Sequence, residues 1–165
     1  MKSTIQLNSE HVLSVLIANQ PSATERLTNL LRRRAPDLAE TTFVSSEEPG
    51  FARVTIALKG ELKNALLLLD QIRKLIDVAE AELLEEDSYL GIQLALLRIE
   101  ARGFHQDDAC YMLRVVGARV RRQCESYLIA EMSDTPRVIE DAVERLKSIV
   151  PVTWLKSGLV TMPVR

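Results

Sequence analysis

Aromatic side chains are scarce, 4% of 165 residues, so a base-stacking surface is not on offer. With 47% hydrophobic residues all the same, any core must be aliphatic. Cysteine is scarcer still: Cys110 and Cys124 stand 14 positions apart with no CxxC partner, which excludes a disulfide scaffold and suits a reducing compartment, the cytoplasm. Nor is there charge of one sign. Twenty-one basic and 23 acidic residues leave a net charge of -2, no field to attract a polyanion, and nucleic acid is not an expected partner. Apolar runs such as "NALLLLDQI" break off far short of the roughly 20 residues that cross a bilayer, so no membrane association is expected.

What is present is strong patterning. After a leader at 1–10, Val12 to Ala18 is a continuous apolar run that reads as a buried strand. Pro21 suits a first helical turn, and Ala23, Leu27, Leu30 and Leu31 share a helical face that must end before Pro36. A β-branched cluster, "ETTFVS", then "EEPG" and "FARVTIALK" read as a hairpin. Gly60 opens a second helix, with Leu62, Leu66, Leu69, Ile72 and Ile76 in helical period, followed by the strand "DVAEAELLE".

The order βαββαβ then recurs: "IQLALLRIEA", "DDACYMLRVV", "ARVRRQCE", "SYLIAEM", "PRVIEDAVERLKSIV" and "PVTWLKS". At a register of 74 residues Leu69 pairs with Val143, Ile72 with Leu146, Leu75 with Ile149 and Ile76 with Val150. The expected fold class is α+β, two ferredoxin-like units, with domains at 11–85 and 86–165. A unit of about 75 residues is marginal alone, so the halves or two chains should pack together.

No catalytic constellation emerges. His11 and His105 lie in different halves without a metal-binding pattern, and both read as surface residues. Cys110 and Cys124 read as small core fillers. Asp107 and Asp108 open a helix, where carboxylates favour the positive end of its dipole, and Arg32, Arg33 and Arg34 close one, where cations are favoured. Arg119, Arg121 and Arg122 form a basic stretch without aromatic interleaving. Neither a metal nor a cofactor is expected in this chain.

The polar junction "NQPSA", residues 19–23, has two readings. A strand feeding a helix start directs backbone N–H groups at a small space, and Asn19 could hold the ammonium and carboxylate of an amino acid there. Alternatively, Asn19 or Ser22 simply caps the helix.

The stretches "HVLSVLIANQPSATERLTNLL", "FARVTIALKG", "QIRKLIDVAEAELL", "ALLRIEARGFHQDD" and "AVERLKSIVPVTWLKSGLV", in this order, resemble the small regulatory subunits of acetolactate synthase from about His11 to Val160. The resemblance implies an N-terminal ACT domain that forms a homodimer by sheet extension, and a C-terminal ferredoxin-like domain. It also implies a branched-chain amino-acid effector at the dimer interface and a large catalytic subunit as partner, which the small subunit activates and makes sensitive to valine. A stand-alone ACT-type sensor or scaffold is the alternative.

By that resemblance the effector residues are Asn19, Gln20, Ser22, Ala23, Asp37 and Leu38. Asn19 and Ala23 match the family's loop, but Ser22 replaces a glycine whose bare backbone admits a ligand closely. Asp37 stands where the family has an amide. It keeps an acceptor, loses the donor and adds a negative charge that opposes a carboxylate.

Overall fold

The computed structural model describes residues 10–101 and 105–164. The expected leader lies outside them except Glu10, which already begins the first strand, and so do Arg102, Gly103 and Phe104 of the "ARGFHQDD" stretch. The elements are β1 (Glu10–Ala18), α1 (Pro21–Arg34), β2 (Leu38–Ser45), β3 (Phe51–Lys59), α2 (Leu62–Ile72), β4 (Val78–Leu84), β5 (Tyr89–Glu100), α3 (His105–Val115), β6 (Arg119–Gln123), β7 (Tyr127–Asp134), α4 (Pro136–Lys147), β8 (Val152–Lys156) and β9 (Val160–Pro163).

The first sheet runs β2-β3-β1-β4, with every neighbouring pair antiparallel. Its central strand is the apolar run: Val12 through Ile17 are all buried, because both flanks are paired and neither face is bare. Leu13, Val15 and Ile17 meet Val54, Ile56 and Leu58 of β3 in a core closed by Leu27 and Leu31 of α1 and Leu68, Leu69 and Ile72 of α2. On the opposite face Ser14 lies in register with Thr55, and both are buried.

α2 departs from the expected helix in two ways. It ends at Ile72, leaving Ile76 at 91% exposure, and its buried stripe is Ala65, Leu68, Leu69 and Ile72 rather than one through Leu62 and Leu66. Four consecutive leucines at 66–69 satisfy more than one apolar stripe, and packing against the sheet selects the one that also uses Ala65. Gly60 precedes it at φ +131, a backbone conformation that strains any residue with a Cβ, and a Cβ there would also press within 3.1 Å of Asp37 Oδ2.

The second sheet carries β6-β7-β5-β8, the same 2-3-1-4 order as the first. Ala95, Leu97, Ile99, Leu128, Ala130 and Met132 pack under Leu113 of α3 and Ile139, Val143 and Leu146 of α4. Cys110 is packed against this core as expected, whereas Cys124 sits half-buried just past β6. Of the 74-residue register, the pairs Leu69 with Val143 and Ile72 with Leu146 are buried in both units. The pairs beyond the helix ends are not, since Ile76 and Ile149 face solvent.

The chain divides into two compact units: residues up to Leu90 with those from Val160 onward, and Gly91–Leu159. The expected boundary at 86–165 differs from this, because the residues from Val160 onward form β9 and join the first unit. Thr161 belongs to the first unit, buried on the sheet face opposite its helices with a 3.2 Å hydroxyl–hydroxyl bond to Thr55.

Candidate functional site

α1 begins without any side-chain cap. Gln20 occupies the cap position in extended backbone with no side-chain cap bond, and the Ala23 and Thr24 N–H groups return to its carbonyl at 3.1 and 3.2 Å. The capping reading is thereby overturned, for a local reason. The Asn19 N–H is drawn to the Gly50 carbonyl (2.8 Å), and Ser22 Oγ accepts from Arg26 Nη2 one turn on (3.3 Å). Arg26 in turn clasps Asp77 with two bonds of 2.6 and 2.8 Å. These bonds hold the Asp77 carboxyl below its ordinary range and raise the guanidinium further. Ala23 is fully buried in the core and presents no side chain to a ligand.

Beside the uncapped start lies an open cleft of about 550 Å³ lined by Asn19, Gln20, Pro21, Thr24, Glu25, Thr28 and Asn29. Four of these, Thr24, Glu25, Thr28 and Asn29, were not anticipated, although the signal was present. They recur at helical period on the side of α1 away from Leu27 and Leu31. The cleft offers side-chain amides, hydroxyls and one carboxylate, since Pro21 has no N–H and the backbone N–H groups of Asn19, Gln20, Ala23 and Thr24 already bond carbonyls of the chain. Such a set can bracket a small zwitterion, with N–H donors for a carboxylate and oxygen acceptors for an ammonium.

Asp37 and Leu38 are not part of it. They follow the other end of α1, a 14-residue helix about 20 Å long, so within one chain they cannot reach a ligand at Asn19. Asp37 borders a small cavity of about 20 Å³ with His11, Arg34 and Lys59. There the His11 imidazole donates from Nε2 to the Gly60 carbonyl at 3.1 Å. The sequence expectation of one six-residue site therefore resolves into two groups at opposite ends of a helix.

Other candidates fall to structural roles. Asp107 and Asp108 lie in the first turn of α3, and Arg32 to Arg34 in the last turn of α1, where Arg33 Nε donates to the Asn29 carbonyl (3.1 Å). His105 begins α3, and its side chain lies outside the described residues. Arg121 of the basic strand is paired with Glu131. Arg98 stacks 4.0 Å above the Tyr127 ring and bonds Glu100 at 2.7 Å, while a hydrogen bond with the Cys124 thiol pushes the Tyr127 phenol upward. Among the described residues no group of three or more His, Cys, Asp or Glu side chains is placed to hold a metal ion.

The fold is that of an ACT domain followed by a second ferredoxin-like unit. The chain's sequence is similar to the small subunits of acetolactate synthase. It is 26% identical to that of Haemophilus influenzae over 153 residues, 92% of this chain and 93% of that protein. It is 21% identical to that of Buchnera aphidicola over 150 residues, 90% and 95% of the two. The crystal structure of the acetolactate synthase small subunit from Thermotoga maritima has the same fold, with a TM-score of 0.83 at 22% identity over 95% of this chain and 98% of that one. No protein-family model matches the chain.

Proposed function

We propose that this chain is a non-catalytic regulatory subunit of acetolactate synthase, acting in branched-chain amino-acid biosynthesis in the cytoplasm. It binds the large catalytic subunit, raises its activity and passes on an amino-acid signal. The observation that carries this reading is collinearity: similarity to proteins bearing that name runs through nine-tenths of the chain and of the relatives alike.

The separation of Asn19 from Asp37 gives the effector site a condition. β2 starts after Asp37 and ends at Ser45, just before the turn whose Gly50 carbonyl holds the Asn19 N–H. If two copies join antiparallel along β2, the Asp37 and Leu38 end of one strand meets the Ser45 end of the other, and both residue groups converge on one cleft. The effector site is thus shared between two copies, with Asn19 and Gln20 from one and Asp37 and Leu38 from the other. Ser22 and Asp37 weaken it toward valine. Asp37 repels the carboxylate, and the Ser22 hydroxymethyl stands where a glycine would leave the backbone bare.

The test is the purified large subunit assayed with and without this chain, and with valine added. Activity should rise on addition, and valine should reverse the rise only at concentrations well above those of a site with the family's glycine and amide. No complex and no change in activity would overturn the subunit reading and favour a stand-alone sensor.

A further inference from the structure

β9 is built inside out. In a half-buried strand the apolar side chains turn inward and the polar ones outward. Here Thr161 is the inward residue, 5% exposed and bonded to Thr55, while Val160, Met162 and Val164 stand 47%, 68% and 67% exposed. The strand is not loose. The Val164 N–H bonds the Ser88 carbonyl at 2.9 Å, tying it to the segment that leads into Leu90, itself 53% exposed. An ordered strand that spends its inward position on a hydroxyl and shows valine and methionine to water is shaped for something that covers it.

The surroundings say what kind of surface. Ser88 closes a turn through its N–H to the Glu85 carbonyl (2.9 Å), and Glu85, Glu86 and Asp87 on that turn are all exposed. Across residues 85–90 and 160–164 there are three carboxylates and no lysine or arginine. The negative field is felt locally: burial first, then Glu10 and Glu86, raises the Tyr89 phenol above its ordinary value. A second copy meeting this face about a two-fold axis would bring the same carboxylates together, and an anionic lipid surface would be repelled by them.

We infer that the outward face of β9, with the acidic turn at 85–87 as its rim, is where the first unit receives a partner protein whose apolar contact surface is edged by lysine or arginine. Under the subunit reading above, on which this rests, that partner is the large catalytic subunit. An apolar centre with a complementary charged rim is the usual anatomy of such contacts, the centre governing affinity and the rim the rate of association.

The experiment uses the full chain and purified large subunit, with affinity measured at low and moderate salt. Met162→Asp with Val164→Asp should weaken binding by at least about tenfold, since a charge is then buried at the contact centre. Its melting temperature should stay near wild type, because both side chains face solvent. Glu85→Lys with Glu86→Lys should slow association and abolish the salt dependence. This second variant keeps the test decisive should the first disturb β9. Unchanged affinity and association rate in these variants, with wild type still binding, would overturn the surface while leaving the subunit reading intact. A wild-type chain that binds no large subunit would overturn both. A change in the mass of the isolated chain caused by Met162→Asp and Val164→Asp would make the occupant a second copy and overturn the inference.

Discussion

Arg26 and Arg53 show how single side chains of the first unit are fixed by partners distant in sequence. Arg26 is engaged by Asp77 and holds Ser22; Arg53 reaches both Ser14 Oγ (3.2 Å) and Glu47. Neither network was legible in the sequence, because spacing along the chain carries no record of ion pairs made across strands. What was legible at this scale was chemistry: Asn19 and Gln20 do sit at an uncapped helix start beside a cleft. The assignment of Asp37 to the same place was not supported within one chain, because sequence neighbours of a helix are separated by the helix's own length. The Glu47–Arg53 pair gives a prediction with a defined sign. The hydrogen bond from Arg53, foremost, lowers the Glu47 carboxyl from 4.5 to about 2. The folded value lies below the ordinary one, so the pair's contribution to stability is present above about pH 4.5 and is lost as the pH falls through about 2. Carboxyl titration by NMR should find a midpoint near 2, and Arg53→Ala should return it toward 4.5. A wild-type midpoint near 4.5 would show that the pair does not persist in solution.

At the scale of elements, the readable segments were those in which one period dominates. The run Val12 to Ala18 and the β-branched hairpin of β2 and β3 leave no second interpretation, and Pro21 and Pro36 bracket α1 by backbone geometry alone. α2 was read with the wrong face because "LLLL" fits two stripes. β9 does not stand out in the sequence because "VTMP" is short, contains proline and is polar on its inward side. α2 supplies the clearest test of packing against pattern. Leu68 is 3% exposed and Leu66 43%, although the two are chemically identical and two residues apart. Leu68→Ala should cost about 2–5 kcal/mol through lost burial and the cavity left behind. Leu66→Ala, at a largely solvated site, should cost about 1 kcal/mol or less. Chemical denaturation of the two variants distinguishes the faces, and equal losses would mean that α2 is rotated from the position described.

The whole molecule repeats one design, with the first strand of each unit at the centre of its sheet and the second and fourth at the edges. Element order made this visible in the sequence; which edge stays open for self-association did not, since it depends on what each edge strand displays. β4 carries Glu80 and Glu82 and runs into Glu85, Glu86 and Asp87, so two such edges brought together would oppose carboxylates. β2 has the opposite character. "LAETTFVS" is rich in β-branched residues, has a single charged side chain, and leaves Leu38 and Phe43 38% and 40% exposed. An edge of that kind pairs readily, and antiparallel pairing with itself needs no charge to be buried. The expected assembly is therefore a homodimer through β2, the arrangement that the shared effector cleft requires. Light scattering at micromolar concentration should give twice the 18.5 kDa mass of the chain. Leu38→Lys with Phe43→Lys, both at exposed positions, should bring like charges together across the two-fold axis and return the mass to that of one chain, with the melting transition retained. Glu80→Lys with Glu82→Lys on β4 should leave the dimer in place. A wild-type monomer would end the argument for a shared site, and a dimer broken by the β4 variant but not by the β2 variant would move the interface to the other edge, where Asn19 and Asp37 do not meet.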